Sequence, residues 1–277
     1  MRLIRYEKDG EFRIGVKVGN EIAPTDYEDM IDFIHGGNDS IEQARRAAKE
    51  STRVTDYRLL APITSPGKVL CSGINYKNHK EENPNAVLPK KPSFFSKLPS
   101  SIIGPGENIV IPYSESLTDY EVELTVIIGK TAKGVSKANA LDYVFGYTIM
   151  NDVSGRDLQF ELQHETIGKG IDSFCPIGPE IVLTDEITDP SELNVSSYVN
   201  GELRQSSPTS QMIFDVPTLI EYLSTYITLN PGDVISTGTP AGVGVFRNPP
   251  TYLKPGDIVE VGVDEIGKLS NLVVAGW

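Results

Sequence analysis

Apolar and polar positions alternate most sharply in the run Asp119-Tyr-Glu-Val-Glu-Leu-Thr-Val-Ile-Ile-Gly129. Side chains two apart on a β-strand share a face, so Glu121, Glu123 and Thr125 lie on one side and Val122, Leu124 and Val126 on the other. One face is oil and the other is acid. Two like charges side by side repel, and a strand that carries them needs either open solvent or a cation between them. The run by itself fits a solvated face and a cation site equally.

Ahead of it, Phe12-Arg-Ile-Gly-Val-Lys-Val18 alternates as a strand, and Gly19-Asn20 suits a hairpin turn. Ser40-Ile-Glu-Gln43 has the form of a capping box and opens a helix through Lys49. Residues 1–60 are therefore expected to form a small α+β domain, with His35 a surface histidine in a loop beside Gly36-Gly37. Pro62, Pro66 and Gly67 mark a linker, and a second unit, 67–277, opens with the strand Lys68-Val-Leu-Cys71. Residues 92–112 read as an ordered loop with short strands, long enough to wall a pocket. Ser136 is expected to cap a short helix through Tyr143, and Gly146-Tyr-Thr-Ile-Met-Asn-Asp152 runs back as a strand that ends on an acid. Beyond Ile181 strands and turns dominate, with a hairpin signal at Asn200-Gly201. One helix interrupts them, capped by Asp215 and striped by Leu219, Ile220, Leu223 and Ile227. The expected class is mainly β (α+β).

Composition narrows the function classes. The 277 residues fit one large domain with a small appendage, and 39% hydrophobic residues with 25 glycines are ordinary for a globular chain. A formal net charge of −13 repels phosphate backbones and anionic lipid, which argues against nucleic acid and membrane partners. An anionic small substrate would need local positive charge from a metal, a lysine or an arginine. The first ten residues lack an apolar targeting core and no later run approaches a membrane span, so a cytoplasmic location is expected. Cys71 and Cys175 lack CxxC spacing and read as packed thiols.

Two groups of residues carry chemistry. Glu121, Glu123 and Asp152 offer three hard oxygen ligands, which select Mg²⁺, Mn²⁺ or Ca²⁺ over zinc or copper and leave coordination positions open for a chelating substrate. His79 and Glu82 are three apart and share a helical face. A histidine so oriented can take a proton from water, and the alternative is a structural histidine. Gly238-Thr-Pro-Ala-Gly-Val-Gly244 lacks the lysine and hydroxyl of a phosphate loop, and no G-x-S-x-G elbow is present.

Five blocks together resemble the fumarylacetoacetate hydrolase family. They are Gly73-Ile-Asn-Tyr-Lys-Asn-His79, Tyr120-Glu-Val-Glu-Leu124, Asn151-Asp-Val-Ser-Gly-Arg-Asp-Leu-Gln159, Gly168-Lys-Gly-Ile-Asp-Ser-Phe174 and Thr237-Gly-Thr-Pro-Ala-Gly242. The resemblance implies a mixed β-sandwich or roll, a homodimer, and Mg²⁺ or Mn²⁺ held at Glu121, Glu123 and Asp152. It places His79 and Glu82 as the water-activating pair and Lys169 as the active-site lysine, and it sets Arg156, Gln159 and Thr239 against the substrate. Ile171 and Gly155 depart from the residues common in relatives, away from the metal positions. A loop-surface pairing of Lys169 with Asp172 is the structural alternative.

The expected reaction is divalent-metal-dependent hydrolysis of a carbon–carbon bond in an anionic 2,4-diketo acid, an acylpyruvate such as fumarylpyruvate, with water activated by His79 and Glu82. The alternative keeps the metal site and changes the outcome, to decarboxylation of oxaloacetate or isomerisation of a hydroxymuconate-type diacid. A third reading is a metal-binding protein without catalysis.

Overall fold

The computed structural model describes residues 1–82, 87–162 and 165–276. Among the described residues, eleven strands join one mixed sheet. Its spine runs Glu21–Pro24, Glu11–Val18, Arg2–Lys8, Cys175–Leu183, Val144–Asn151, Val122–Ile128, Val234–Ser236, Val69–Ser72 and Phe94–Lys97. A second sheet sets Glu202–Pro208, Asn194–Val199, Ile258–Val263, Gly267–Ala275 and Ile109–Ile111 side by side. Val122, Leu124 and Val126 share one apolar cluster with Val195, Val259, Val261 and Leu269, which closes the two sheets into a sandwich.

The opposite face of the main sheet is covered as well. Ile127 and Val234 cluster with Leu3, Ile14, Phe33 and Ile34 from the first 60 residues. All seven residues of Val122–Ile128 are therefore buried, and the solvated-face reading of its acids gives way to a strand covered on both sides. The first 60 residues supply strands and two helices, and Arg2–Lys8 is hydrogen-bonded to Cys175–Leu183, so they continue the main sheet.

Local details refine several expectations. Helix Gly37–Glu50 begins ahead of Ser40, which sits inside its first turns and donates its hydroxyl to the Phe33 and Gly37 carbonyls instead of capping. An unforeseen helix, Met30–His35, is capped by Asp29, and His35 is its exposed last residue and not part of a loop. Lys137–Tyr143 is a 3₁₀ helix whose Ser136 makes no side-chain cap bond. Asp215 does cap Val216–Tyr226, accepting from the Thr218 amide at 3.0 Å, and Leu219, Ile220 and Leu223 are buried beneath that helix. Helices Arg156–Leu162 and Glu165–Lys169 were not legible in the periodicity. They pack so closely that a side chain at Gly168 would meet the Gln159 backbone at 2.9 Å. Among the described residues, no helix is long and apolar enough to cross a membrane.

Candidate active site

Antiparallel pairing assembles the acid cluster. Val122 lies opposite Asn151 and Glu123 opposite Met150, which brings Glu121 beside Asp152, whose amide donates to the Glu121 carbonyl at 2.8 Å. Alternation then turns Glu121, Glu123 and Asp152 to one side, with ligand oxygens within 4.8 Å of one another and all three residues buried. Asp119 shares their parity and joins the same network.

Three cations answer these acids. Arg156 reaches Asp119 Oδ2 at 2.9 Å and Glu121 Oε1 at 2.5 Å. Lys169 Nζ bridges Glu121 Oε2 at 2.6 Å and Asp152 Oδ2 at 2.9 Å, which excludes its pairing with Asp172 on a loop surface. Lys97 Nζ holds Asp152 Oδ1 at 2.6 Å. Glu123 has no cation partner among the described residues. Its Oε2 accepts from the Ser236 hydroxyl at 2.5 Å and from the Gly238 amide at 2.8 Å. Gly238 can offer that amide because its φ of +94° lies in the left-handed region that a side chain disfavours.

Among the described residues, four carboxylates against three cations leave the cluster one negative charge in excess. The excess is felt most at Glu123. Burial, reinforced by the charges of Asp152 and Glu121, pushes its carboxyl well above the usual range. Burial also pushes Glu121 upward, but Arg156 and Lys169 outweigh it and hold that carboxyl at about 2. Burial disfavours the ammonium of Lys169, yet Asp152 and Glu121 keep its pKa raised, so it remains a charged donor. The donor set fits a hard divalent cation: it is all oxygen, and a cation would relieve the strain on Glu123.

A cavity of about 420 Å³ opens above the cluster. Ile74, Phe94, Phe95, Phe160, Val243 and Phe246 give it apolar walls, and Glu121, Glu123, Arg156 and Lys169 lie on its lining. His79, Gln159 and Thr239 line it too, but their polar atoms are already engaged. Thr239 donates its hydroxyl to the Val122 carbonyl at 2.9 Å and accepts from Gln205 at 2.8 Å. Gln159 accepts from Arg156 at 3.0 Å and donates to Glu165 at 2.7 Å. His79 contacts Glu82 through Nδ1 at 3.1 Å and the Thr239 carbonyl oxygen through Nε2 at 2.8 Å. That carbonyl only accepts, so Nε2 carries its hydrogen, and the other nitrogen faces a carboxylate. Glu82 also accepts from the Gly242 amide, which ties the short helix His79–Glu82 to the glycine-rich loop.

Residues 68–274 match the model of the fumarylacetoacetate hydrolase C-terminal domain. The chain belongs to the fumarylacetoacetate hydrolase family. It is an enzyme of that family, and its sheets have the family's fold. It is 42% identical to the mitochondrial oxaloacetate tautomerase fahd2 of Xenopus laevis over 289 residues, covering 99% of this chain and 90% of the relative. Among solved structures, a fumarylacetoacetate hydrolase from psychrophilic Exiguobacterium antarcticum superposes with a TM-score of 0.88 at 41% identity, covering 99% of each chain. A maleylpyruvate hydrolase from Sphingobium sp. SYK-6, solved with manganese(II) and pyruvate, gives 0.85 at 30% identity over 100% of each.

The sequence reading missed Lys97, Asp119, Gln205 and Ser236 as members of this network. Asp119 had a signal, since it shares parity with Glu121 and Glu123. Lys97 had none, because a lysine closing a short apolar strand reads as a surface end.

Proposed function

We propose that this enzyme catalyses a divalent-metal-dependent keto–enol interconversion of a small 2-oxo diacid, with oxaloacetate as the substrate. The observation that carries this reading is the set of contacts at His79: both ring nitrogens face acceptors within the protein, so no lone pair on the ring is turned toward a water. Hydrolysis consumes a water that such a base must activate, whereas tautomerisation consumes none: the carbon gives one proton to solvent and the keto oxygen takes one from it, with Lys169 donating to the charge between the two transfers. The likeness to an oxaloacetate tautomerase along nearly the whole chain supports the same choice.

Glu121, Glu123 and Asp152 would hold Mg²⁺ or Mn²⁺. When bound, that cation would polarise the keto oxygen and offset the charge that builds there as the neighbouring carbon is deprotonated. Arg156 fixes Glu121 in place by bonding it and Asp119 together. Lys169 presents a permanent ammonium on the cavity lining, where it attracts a dianion and donates a hydrogen bond to developing negative charge. The aromatic walls put low-dielectric surface beside these charges, which strengthens each interaction.

Acylpyruvate hydrolysis is the second reading, supported by the family's maleylpyruvate hydrolase and by the His79–Glu82 contact itself. One experiment separates the two. With Mg²⁺ or Mn²⁺, the protein is given freshly dissolved enol oxaloacetate, and enol absorbance is followed beside total oxaloacetate, carbon dioxide and pyruvate. Faster loss of the enol at constant total oxaloacetate supports the tautomerase. Carbon dioxide with pyruvate makes it a decarboxylase, and pyruvate released only from acylpyruvates returns the hydrolase.

A further inference from the structure

Lys97 ends the strand Phe94–Lys97 and places an ammonium beneath the acid cluster, with its side chain 0% exposed. Nζ donates to Asp152 Oδ1 at 2.6 Å and to the Val153 carbonyl at 3.0 Å. It does not line the cavity, whereas Lys169, which holds the other oxygen of the same carboxylate, does. Asp152 is thus gripped by two ammonium groups, one inside the protein and one on the cavity side.

Neutralising Asp152 does not require both. Burying an ammonium is costly, and a buried ion pair commonly stabilises a fold no better than apolar residues of the same volume. Lys169 already supplies a counter-charge. What Lys97 alone supplies is a fixed orientation. By bonding Oδ1 and the next residue's carbonyl together, it ties the carboxylate to its own backbone from below. Oδ2, the oxygen that shares Lys169 with Glu121, is left facing the other acids.

We propose that Lys97 is a positioning residue of the cation site, required for tight divalent-cation binding although it touches neither cation nor substrate. It acts by holding Asp152 in the one rotation that presents Oδ2 beside Glu121 and Glu123. This role rests on the reading that the three acids hold a cation, and it holds whichever reaction the enzyme performs.

The test compares the wild type with Lys97→Met and Lys97→Gln. It uses calorimetric titration with Mn²⁺, the electron paramagnetic resonance spectrum of the bound ion, and the melting temperature without metal. Loss of an outer-shell partner to a ligand weakens metal binding by about 10- to 100-fold, which is the loss expected for Lys97→Met, with an altered Mn²⁺ spectrum. Lys97→Gln keeps an N–H donor and should recover part of the affinity. A folded Lys97→Met protein that binds Mn²⁺ as tightly as the wild type, changed only in melting temperature, overturns the role and leaves the lysine structural. If Lys97→Met does not fold, unchanged Mn²⁺ affinity in Lys97→Gln overturns it and weakened affinity supports it. A wild type that binds no Mn²⁺ overturns the cation site itself, and Lys97 with it.

Discussion

Two groups of buried acid in this protein are balanced in opposite senses. Glu180, 1% exposed, faces Arg2 at 2.7 Å and Lys17 at 2.6 Å, so one carboxylate has two cations reaching in from the surface. Among the described residues, Asp119, Glu121, Glu123 and Asp152 share only Lys97, Arg156 and Lys169. The first arrangement is complete and joins the leading strands to Cys175–Leu183. The second is one charge short. A buried carboxylate with surplus cations acts as a clamp, while surplus carboxylate in a cavity is an arrangement that a divalent ion completes.

Removing the unbalanced acid is the strongest way to break this contrast. Glu123→Ala should abolish calorimetric Mn²⁺ binding and enolising activity while the protein remains folded, and the metal-free form should be as stable as the wild type or more so, because repulsion is relieved. Retained Mn²⁺ affinity would remove Glu123 from the site.

Occupying the site should have the next largest effect. Mn²⁺ at about 100 times its Kd should add about 2.7 kcal/mol of stability, read as a higher melting temperature. The metal-free protein should show the opposite charge balance through pH. The Glu123 carboxyl is raised by burial, then by Asp152 and Glu121, so the folded state binds a proton that the unfolded state has released. Stability should therefore rise as pH falls from the raised value toward the ordinary carboxylate range, and be lost as pH climbs through the raised value. Glu121, held at about 2, works the other way: its contribution is present above the ordinary carboxylate pKa and is lost as pH drops through about 2. Glu123→Gln should erase the slope above the ordinary carboxylate range, and a slope unchanged by that substitution would assign it elsewhere.

The clamp should respond in stability alone. Glu180→Gln keeps the shape but removes the charge that Arg2 and Lys17 share, and both cations are partly solvated, so the cost is expected at about 1–3 kcal/mol. Mn²⁺ affinity should not change. A changed affinity would mean that the two acid groups are coupled through the sheet.

How much of this contrast the sequence carried depends on distance along the chain. Parity along one run placed Glu121 with Glu123, and Asp152, just past the end of the strand Val144–Asn151, supplied the third acid, because alternation is a local rule. The mainly β class followed from the number of short strands and their turns, while the sandwich came from the family resemblance. The cations that balance the cluster come from separate elements, Lys97 on an edge strand and Arg156 and Lys169 on short helices. Their roles depend on packing, which no window of sequence contains. The engagement of His79 was hidden for the same reason, since its Nε2 partner lies 160 positions away. The resemblance drew the reading toward hydrolysis, and the contacts of the ring, with the likeness to an oxaloacetate tautomerase, favour the other outcome.

The smallest expected effect is therefore the most discriminating. His79 and Glu82 span from a short helix to the Thr239 carbonyl and the Gly242 amide, so in the tautomerase reading they brace the loop that carries the Gly238 amide to Glu123. His79→Asn should then slow enol–keto conversion of oxaloacetate by less than about 10-fold, well below the 10²- to 10⁴-fold cost of losing a general base. Glu82→Gln should behave alike, and Mn²⁺ affinity should survive both. A loss of about 10²-fold or more on oxaloacetate would mean that the imidazole swings away from Thr239 and moves the substrate proton itself. A comparable loss confined to acylpyruvate cleavage would instead restore water activation as the task of the pair, since among the substrates compared only acylpyruvate cleavage consumes an activated water.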